Sequence, residues 1–348
     1  MDILSGVAAA ARHDAAGQHD EAVNALARAA QGGDLDAMTT LARRLLVGDR
    51  APLLPREAVR FLVDAARGGD REAPGHLAVL TALGAYVRHS WTDALDLLVT
   101  AAERGSEHAR GQLRALAGEP HTDLAGSGGS WARLGGRIDV GAWSLAPPEI
   151  VVSADPIVQR YPDFASAEVC AWLIERSRGK LSRALVYDPG TGNDIADASR
   201  TNTAAGFNLA ETDLVHVALQ TKMSACCKLP INHMEGATVL HYEAGEEIAD
   251  HFDFVDPAIP GYEREIAEHG ERLVTFLVYL NDDYGGGETD FPRIGVRHKG
   301  HTGEGLFFVN ALPGGGPDVR MLHAGCPPSR GEKWIVSQFV RDRPALRV

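Results

Sequence analysis

The sequence predicts two unlike domains in one chain: an all-α solenoid of helical repeats, then a β sandwich or barrel with flanking helices. Three observations carry this. A strict internal period marks the first third of the 348 residues. A stretch rich in glycine, serine and proline, residues 118–148, then breaks every period. From residue 149 on, short apolar strands alternate with glycine and proline turns. The length suits two or three domains. The 45% hydrophobic and 23% charged composition is that of a globular chain and excludes a disordered or fibrous one.

The period is visible in three segments, AAQGGDLDA from Ala29, AARGGDREA from Ala65 and AAERGSEHA from Ala101, which start 36 residues apart. A fixed period of 20–50 residues marks stacked supersecondary units. In each segment a glycine (Gly33, Gly69, Gly105) ends one helix, and the next residue (Asp34, Asp70, Ser106) has the chemistry to cap the following one. Small alanines recur where paired helices approach closely. Residues 1–117 therefore read as about seven helices in antiparallel pairs. The segments resemble Sel1-like repeats, relatives of tetratricopeptide repeats. That resemblance implies a surface for peptides or proteins; a purely scaffolding array is the competing reading. Residues 118–148 read as a linker containing one short strand, IDVGAW. Its Trp131, Ile138, Val140 and Trp143 are apolar enough to pack along the domain that follows.

Residues 149–348 supply the strands EIVVSA (149–154), ATVLHYEAG (237–245), RLVTFLVYLN (272–281), GLFFVNAL (305–312) and KWIVSQFVRD (333–342). The helix SAEVCAWLIERSR is capped by Ser166, and LAETDLVHVALQTKMSACC reads as a second.

Charge and cysteine content narrow the function. The net charge of −13 repels phosphate backbones, so no nucleic-acid partner is expected. No apolar run reaches the ~18 residues of a membrane helix, and the acidic start is unlike a signal peptide. The four cysteines form no CxxC pair, and Cys226 and Cys227 are adjacent. That argues against a disulfide framework or a thiolate zinc site and for reduced thiols in the cytoplasm.

The chemistry centres on His251 and Asp253. Two residues apart on an extended strand, they share a face, so an imidazole and a carboxylate converge. With a distant histidine they would form the two-His-one-carboxylate set of non-haem Fe(II) sites. Spacing alone leaves His298, His301 and His323 as candidates for that third ligand. Lys333 opens an apolar strand, where an unpaired ammonium is costly to bury, so it calls for an anion. Tyr242, nine residues before His251, could add a neutral donor to that anion.

The stretches LHYEAGEEIADHFD, RLVTFLVYLND, GGETDFP and LHAGCPPSRGEKW together resemble the catalytic domain of prolyl 4-hydroxylases, in the Fe(II)/2-oxoglutarate dioxygenase superfamily. The resemblance implies a double-stranded β-helix, or jelly roll. It assigns Fe(II) to His251, Asp253 and His323. It assigns the C5 carboxylate of 2-oxoglutarate to Lys333 with Tyr242. On the substrate side it points to Arg200, Glu235 and Arg272. It also points to Ile248, where many collagen-type members carry tyrosine, and to Phe339, where they often carry tryptophan. It implies O2 as the second cosubstrate, ascorbate as an accessory cofactor, and a peptide or protein substrate held partly by the repeats. The expected activity is prolyl 4-hydroxylation coupled to conversion of 2-oxoglutarate to succinate and CO2. The alternatives are hydroxylation of a free amino acid or of another peptide residue, and a non-catalytic scaffold whose jelly roll binds a ligand.

Overall fold

The structure is a computed structural model and describes residues 5–119, 131–188, 190–191 and 193–345. Seven helices occupy the first part: α1 Gly6–Ala15, α2 His19–Gln31, α3 Leu35–Val47, α4 Pro55–Gly68, α5 Ala73–Leu83, α6 Trp91–Glu103 and α7 Glu107–Leu116. Each packs on its sequence neighbour, the pattern of stacked helical hairpins. The period has a physical cause. Gly33, Gly69 and Gly105 all take left-handed φ, 91°, 100° and 95°, which a side chain would resist. The next residue then turns its side chain onto the new helix. Asp34 accepts from the Ala37 amide at 3.0 Å, Asp70 from Ala73 at 2.6 Å and Ser106 from Ala109 at 3.1 Å. Of the alanines that recur with the period, Ala30, Ala65, Ala101 and Ala102 are buried, and Ala29 and Ala66 half-buried.

The linker differs from expectation. Residues 120–130 lie outside the described residues. Instead of a strand, its second half forms two short helices, α8 Trp131–Gly135 and α9 Val140–Trp143. Ile138 is buried in the turn between them, and Val140–Trp143 buries no residue fully, so the segment lacks the alternation a half-buried strand needs. Helix α8 packs on α6 and α7, with Arg110 and Arg114 over the Trp131 ring at 5.3 and 5.1 Å. Trp131 and Leu134 thus belong with the repeats, not with the domain that follows.

By compactness the chain divides at 140/141 rather than 148/149, and one segment changes sides. Residues Asn208–Val217 belong to the repeat unit; Gly141–Phe207 and Ala218–Arg347 form the other. Within the repeat unit the amide of Leu214 donates to Gln112 Oε1 at 2.9 Å, and both residues are buried.

The second unit holds α10 Ala167–Arg178 and α12 Tyr262–His269. Helix α11, Leu214–Cys227, begins in the segment that changes sides. The strands are β1 Ile150–Ala154, β2 Ile157–Tyr161, β3 Ser182–Arg183, β4 Val186–Asp188, β5 Asn193–Ile195, β6 Thr203–Gly206, β7 Thr238–Tyr242, β8 Ile248–His251, β9 Arg272–Tyr279, β10 Gly285–Gly286, β11 Thr289–Phe291, β12 Val296–His298, β13 Gly305–Val309, β14 His323–Gly325, β15 Pro328–Arg330 and β16 Lys333–Arg341. The major sheet runs β1-β2-β13-β9-β16-β7-β6-β3 and the minor sheet β12-β11-β14-β8. A core of Val158, Leu277, Tyr279, Leu306, Phe308 and Ile335 from the first sheet meets Phe291 and Met321 from the second. Two antiparallel sheets closed on one core make the jelly roll.

The central strands read as continuous apolar runs because both faces are covered. On β9, Phe276 stacks on Phe164 behind the sheet, while Thr275 and Leu277 face the other sheet. Alternation then sends Lys333, Ile335, Ser337, Phe339 and Arg341 of β16 to the inner face. Lys333 and Arg341 stand at opposite ends of that row, roughly 25 Å apart at ~3.3 Å per residue. Among the described residues no helix is long and apolar enough to cross a membrane.

Candidate metal centre and active site

His251 ends β8 and His323 opens β14, and these residues are direct cross-strand partners. The pairing holds the imidazole centroids 4.3 Å apart. Asp253 follows two residues after His251. Its Oδ1 lies 3.5 Å from His251 Nε2 and its Oδ2 3.4 Å from His323 Nε2. One ligand atom from each of the three residues falls within 4.8 Å of the others.

Both histidines are oriented in the same way. Each Nδ1 lies 2.9 Å from a backbone carbonyl two residues upstream, Ala249 for His251 and Met321 for His323. A carbonyl only accepts, so each Nδ1 carries the proton and each Nε2 presents a lone pair. Asp253 is steered from behind: Thr275 Oγ1 donates to its Oδ2 at 2.8 Å, and Asn310 Nδ2 donates to Thr275 Oγ1 at 2.9 Å. This relay was not foreseen. Its one signal was a lone hydroxyl in the apolar run RLVTFLVYL.

The electrostatics suit a cation. Burial alone would raise the Asp253 carboxyl, but His323, His251 and Thr275 hold it well below the usual range. Burial pushes His323 down to about 4 despite Asp253. Burial also works against protonation of His251, yet Asp253 lifts it above the ordinary imidazole value. Two nitrogen lone pairs and an ionised carboxylate on one point fit a divalent metal of borderline hardness. His298 and His301 are elsewhere: His298 faces Glu304 at 3.4 Å and His301 faces Asp282 at 3.4 Å.

Lys333 and Tyr242 are also cross-strand partners, on β16 and β7. Lys333 is 1% exposed, and among the described residues only the longer-range charges of Cys326 and Glu288 act on it. Burial pulls its ammonium down to about 8, although Cys326 and Glu288 favour the charge. Its Nζ lies 4.9 Å from the Tyr242 ring centroid. Burial pushes the Tyr242 phenol well above its ordinary value, so it stays a neutral donor. Two glycines make room. A Cβ on Gly325 would sit 3.2 Å from Tyr242 Oη. One on Gly287, at φ +72°, would sit 3.3 Å from the Lys333 stem and 2.8 Å from the Tyr284 ring.

The other residues gather at the far end of the same cavity, whose volume is ≈ 440 Å³ and whose walls include all ten residues singled out from the sequence. Glu235 holds Arg272 with two hydrogen bonds, 2.7 and 3.0 Å. Burial opposes the Glu235 charge, but Arg272 and Arg341 outweigh it and lower its carboxyl. Arg272 lies over the Phe339 ring at 3.8 Å. Arg200 bridges to Ile248 beside the minor sheet, with Nη1 on the Leu185 carbonyl at 3.2 Å. Tyr187 and Tyr262 stack at 5.7 Å and line both this cavity and an adjoining one of ≈ 520 Å³.

Comparison with known proteins agrees with this arrangement. The family model of the 2OG-Fe(II) oxygenase superfamily matches residues 237–341. A probable prolyl 4-hydroxylase of Arabidopsis thaliana, number 9 of its series, is 30% identical over 213 residues, 56% of this chain and 72% of the relative. Among solved structures, a viral collagen prolyl hydroxylase from Paramecium Bursaria Chlorella virus-1, in complex with 2OG, is similar to this chain. It is 27% identical with a TM-score of 0.42, over 53% of this chain and 95% of that one. A Sel1 repeat protein from Oxalobacter formigenes is 20% identical with a TM-score of 0.31, over 40% of this chain and 60% of that one. On identity and coverage against the plant relative, the chain belongs to the prolyl 4-hydroxylase family of 2-oxoglutarate- and Fe(II)-dependent dioxygenases.

Proposed function

We propose that this protein hydroxylates a prolyl residue of a peptide or protein, with His251, Asp253 and His323 as the iron ligands and Lys333 with Tyr242 as the cosubstrate anchor. The observation that carries the reading is the pair of cross-strand registers. One sets two Nε2 lone pairs and a carboxylate on a single point. The other sets an unpaired buried ammonium beside a neutral phenol in the same cavity.

Bound Fe(II) supplies the chemistry by which O2 decarboxylates 2-oxoglutarate to succinate and hydroxylates a C–H bond. The chain's own work is binding and orientation. Thr275 fixes the Asp253 carboxylate, and the two backbone carbonyls fix the imidazoles. Lys333 makes a charge-assisted bond to the C5 carboxylate, shortest and strongest where water is excluded. Tyr242 adds one hydrogen bond without adding charge. At the other end Arg272, held by Glu235 and laid on Phe339, orients the substrate together with Arg200 and Ile248. Ile248, smaller than a tyrosine and without its hydroxyl, leaves that wall more open and apolar.

Substrate holding by the helical repeats, use of ascorbate to keep the iron reduced and a cytoplasmic location belong to the same proposal. The free state of all four cysteines supports the last. The test is succinate formation from 2-oxoglutarate with Fe(II), with and without proline-containing peptides, read with a one-oxygen mass gain on the peptide. Succinate whose yield no peptide changes, and no mass gain on any peptide, would leave an oxygenase of some other substrate.

A further inference from the structure

We propose that Arg341 is a positioning residue for the substrate side of the cleft: it holds Glu235, and through it Arg272, while seating α12 against the same point. The inference rests on the prolyl-hydroxylase reading above. Arg341 ends β16 on its inner face, at the opposite end from Lys333, and is 4% exposed. Three of its nitrogens meet three acceptors, one before β7 and two on α12 and its C-terminal turn. Nε donates to Glu235 Oε1 at 2.6 Å, Nη1 to the Gly270 carbonyl at 2.6 Å and Nη2 to Glu265 Oε1 at 2.7 Å. Glu235 precedes β7, Glu265 is on α12, and Gly270 is the turn that leaves α12.

Only a guanidinium offers that fork. A lysine would keep the charge and lose two of the three bonds. The consequence runs both ways from Arg341. Glu235 is the carboxylate that holds Arg272 flat over Phe339, so its placement sets the placement of the substrate-side arginine. Helix α12 has no fully buried residue, so apolar packing does little to hold it. Its ties to the C-terminal end of the chain are polar: Arg341 to Glu265 and Gly270, and Arg343 to the Ala267 carbonyl at 3.1 Å. Tyr262, at the head of α12, stacks on Tyr187 across the cavity wall. One side chain therefore sets both the charged floor of the substrate side and the helix that carries its aromatic wall.

The test uses full-length, metal-loaded protein as wild type, Arg341→Lys and Glu265→Ala. The last removes only the Glu265 acceptor of α12, at a part-exposed site, and keeps the proposal testable if Arg341→Lys does not fold. The first readout is hydrogen–deuterium exchange. Amides of 262–269 should exchange about tenfold faster in both variants while those of β9 keep their protection. The second is steady-state kinetics. The peptide KM should rise about tenfold in Arg341→Lys and about threefold in Glu265→Ala, with the 2-oxoglutarate KM within about twofold of wild type. Unchanged exchange in α12 in both variants would overturn the proposal. So would a 2-oxoglutarate KM that rises as far as the peptide KM, the mark of a general structural role. A wild type that hydroxylates no proline peptide would sink the substrate reading, and the exchange data would still decide the role of Arg341.

Discussion

Replacing Lys333 by methionine keeps most of the stem and removes the charge, and the structure sets opposite signs for its two effects. Burial moves the ammonium from 10.5 to about 8. At 1.36 kcal/mol per unit, the charge costs on the order of 3 kcal/mol in the protein without 2-oxoglutarate. Lys333→Met removes that cost, so the variant free of cosubstrate should melt several degrees higher, not lower. With 2-oxoglutarate the sign reverses. Leaving a buried carboxylate without its partner costs ~3–5 kcal/mol. At 1.4 kcal/mol per tenfold, affinity should fall on the order of 10²–10⁴. The wild type adds a pH signature. Lys333 is charged below about pH 8, so 2-oxoglutarate affinity is full there and falls as the pH rises through that value. Stability without cosubstrate moves the other way. Between pH 8 and 10.5 the unfolded state binds the extra proton, so stability rises with pH across that window. Lys333→Arg, which does not titrate, should abolish the break in affinity. Calorimetric titration of 2-oxoglutarate into Mn(II)-loaded protein across this range, with thermal melts of the cosubstrate-free forms, reads all of these. A Lys333→Met protein that melts lower and still binds 2-oxoglutarate within twofold of wild type refutes the reasoning.

Other expectations follow from the same geometry. Thr275→Val keeps the shape and deletes the bond to Asp253, so metal affinity should drop about 10–100-fold with the fold retained, by Co(II) titration. Acid should weaken metal binding in two stages. His251, raised by Asp253, takes a proton first, and His323 takes one only near pH 4, so a single one-proton step across the whole acid range would contradict the assignment. Gly325→Val drives a methyl toward the Tyr242 hydroxyl and should raise the 2-oxoglutarate KM while sparing metal affinity. Removal of residues 1–117 strips the cover from Leu214 and Val215, so the remaining chain should aggregate or melt early; a stable, metal-binding fragment would show that 208–217 can be buried without the repeats.

What the sequence disclosed and what it hid divide along physical lines. Left-handed glycines and capping aspartates act within a few residues, so the period of 36 exposed them directly. The pair His251 and Asp253 was legible because both sit on one short segment. Lys333 stood out because a charge opening an apolar strand needs a reason. Thr275, Asn310 and Arg341 carry no such mark. Each matters through a partner 22 to 106 residues away, Asp253, Thr275 and Glu235 respectively, and single-sequence patterns do not report register. The strand expected at IDVGAW failed for a related reason. Its alternation was weak: of its residues only Ile138 is buried, in the turn between two short helices.

The segment Asn208–Val217 has a consequence for how the chain is made. The repeat helices leave the ribosome first, with α7 complete at Leu116, but the stretch that covers Gln112 follows about a hundred residues later. At 5–20 residues per second the helical array spends roughly 5–20 s with that position uncovered. During that interval Gln112 lacks its backbone partner and the surface around it is open to other chains. The repeat unit is thus finished only after synthesis has entered the oxygenase sequence, which gives the nascent protein a window in which a chaperone, or a premature partner, could bind.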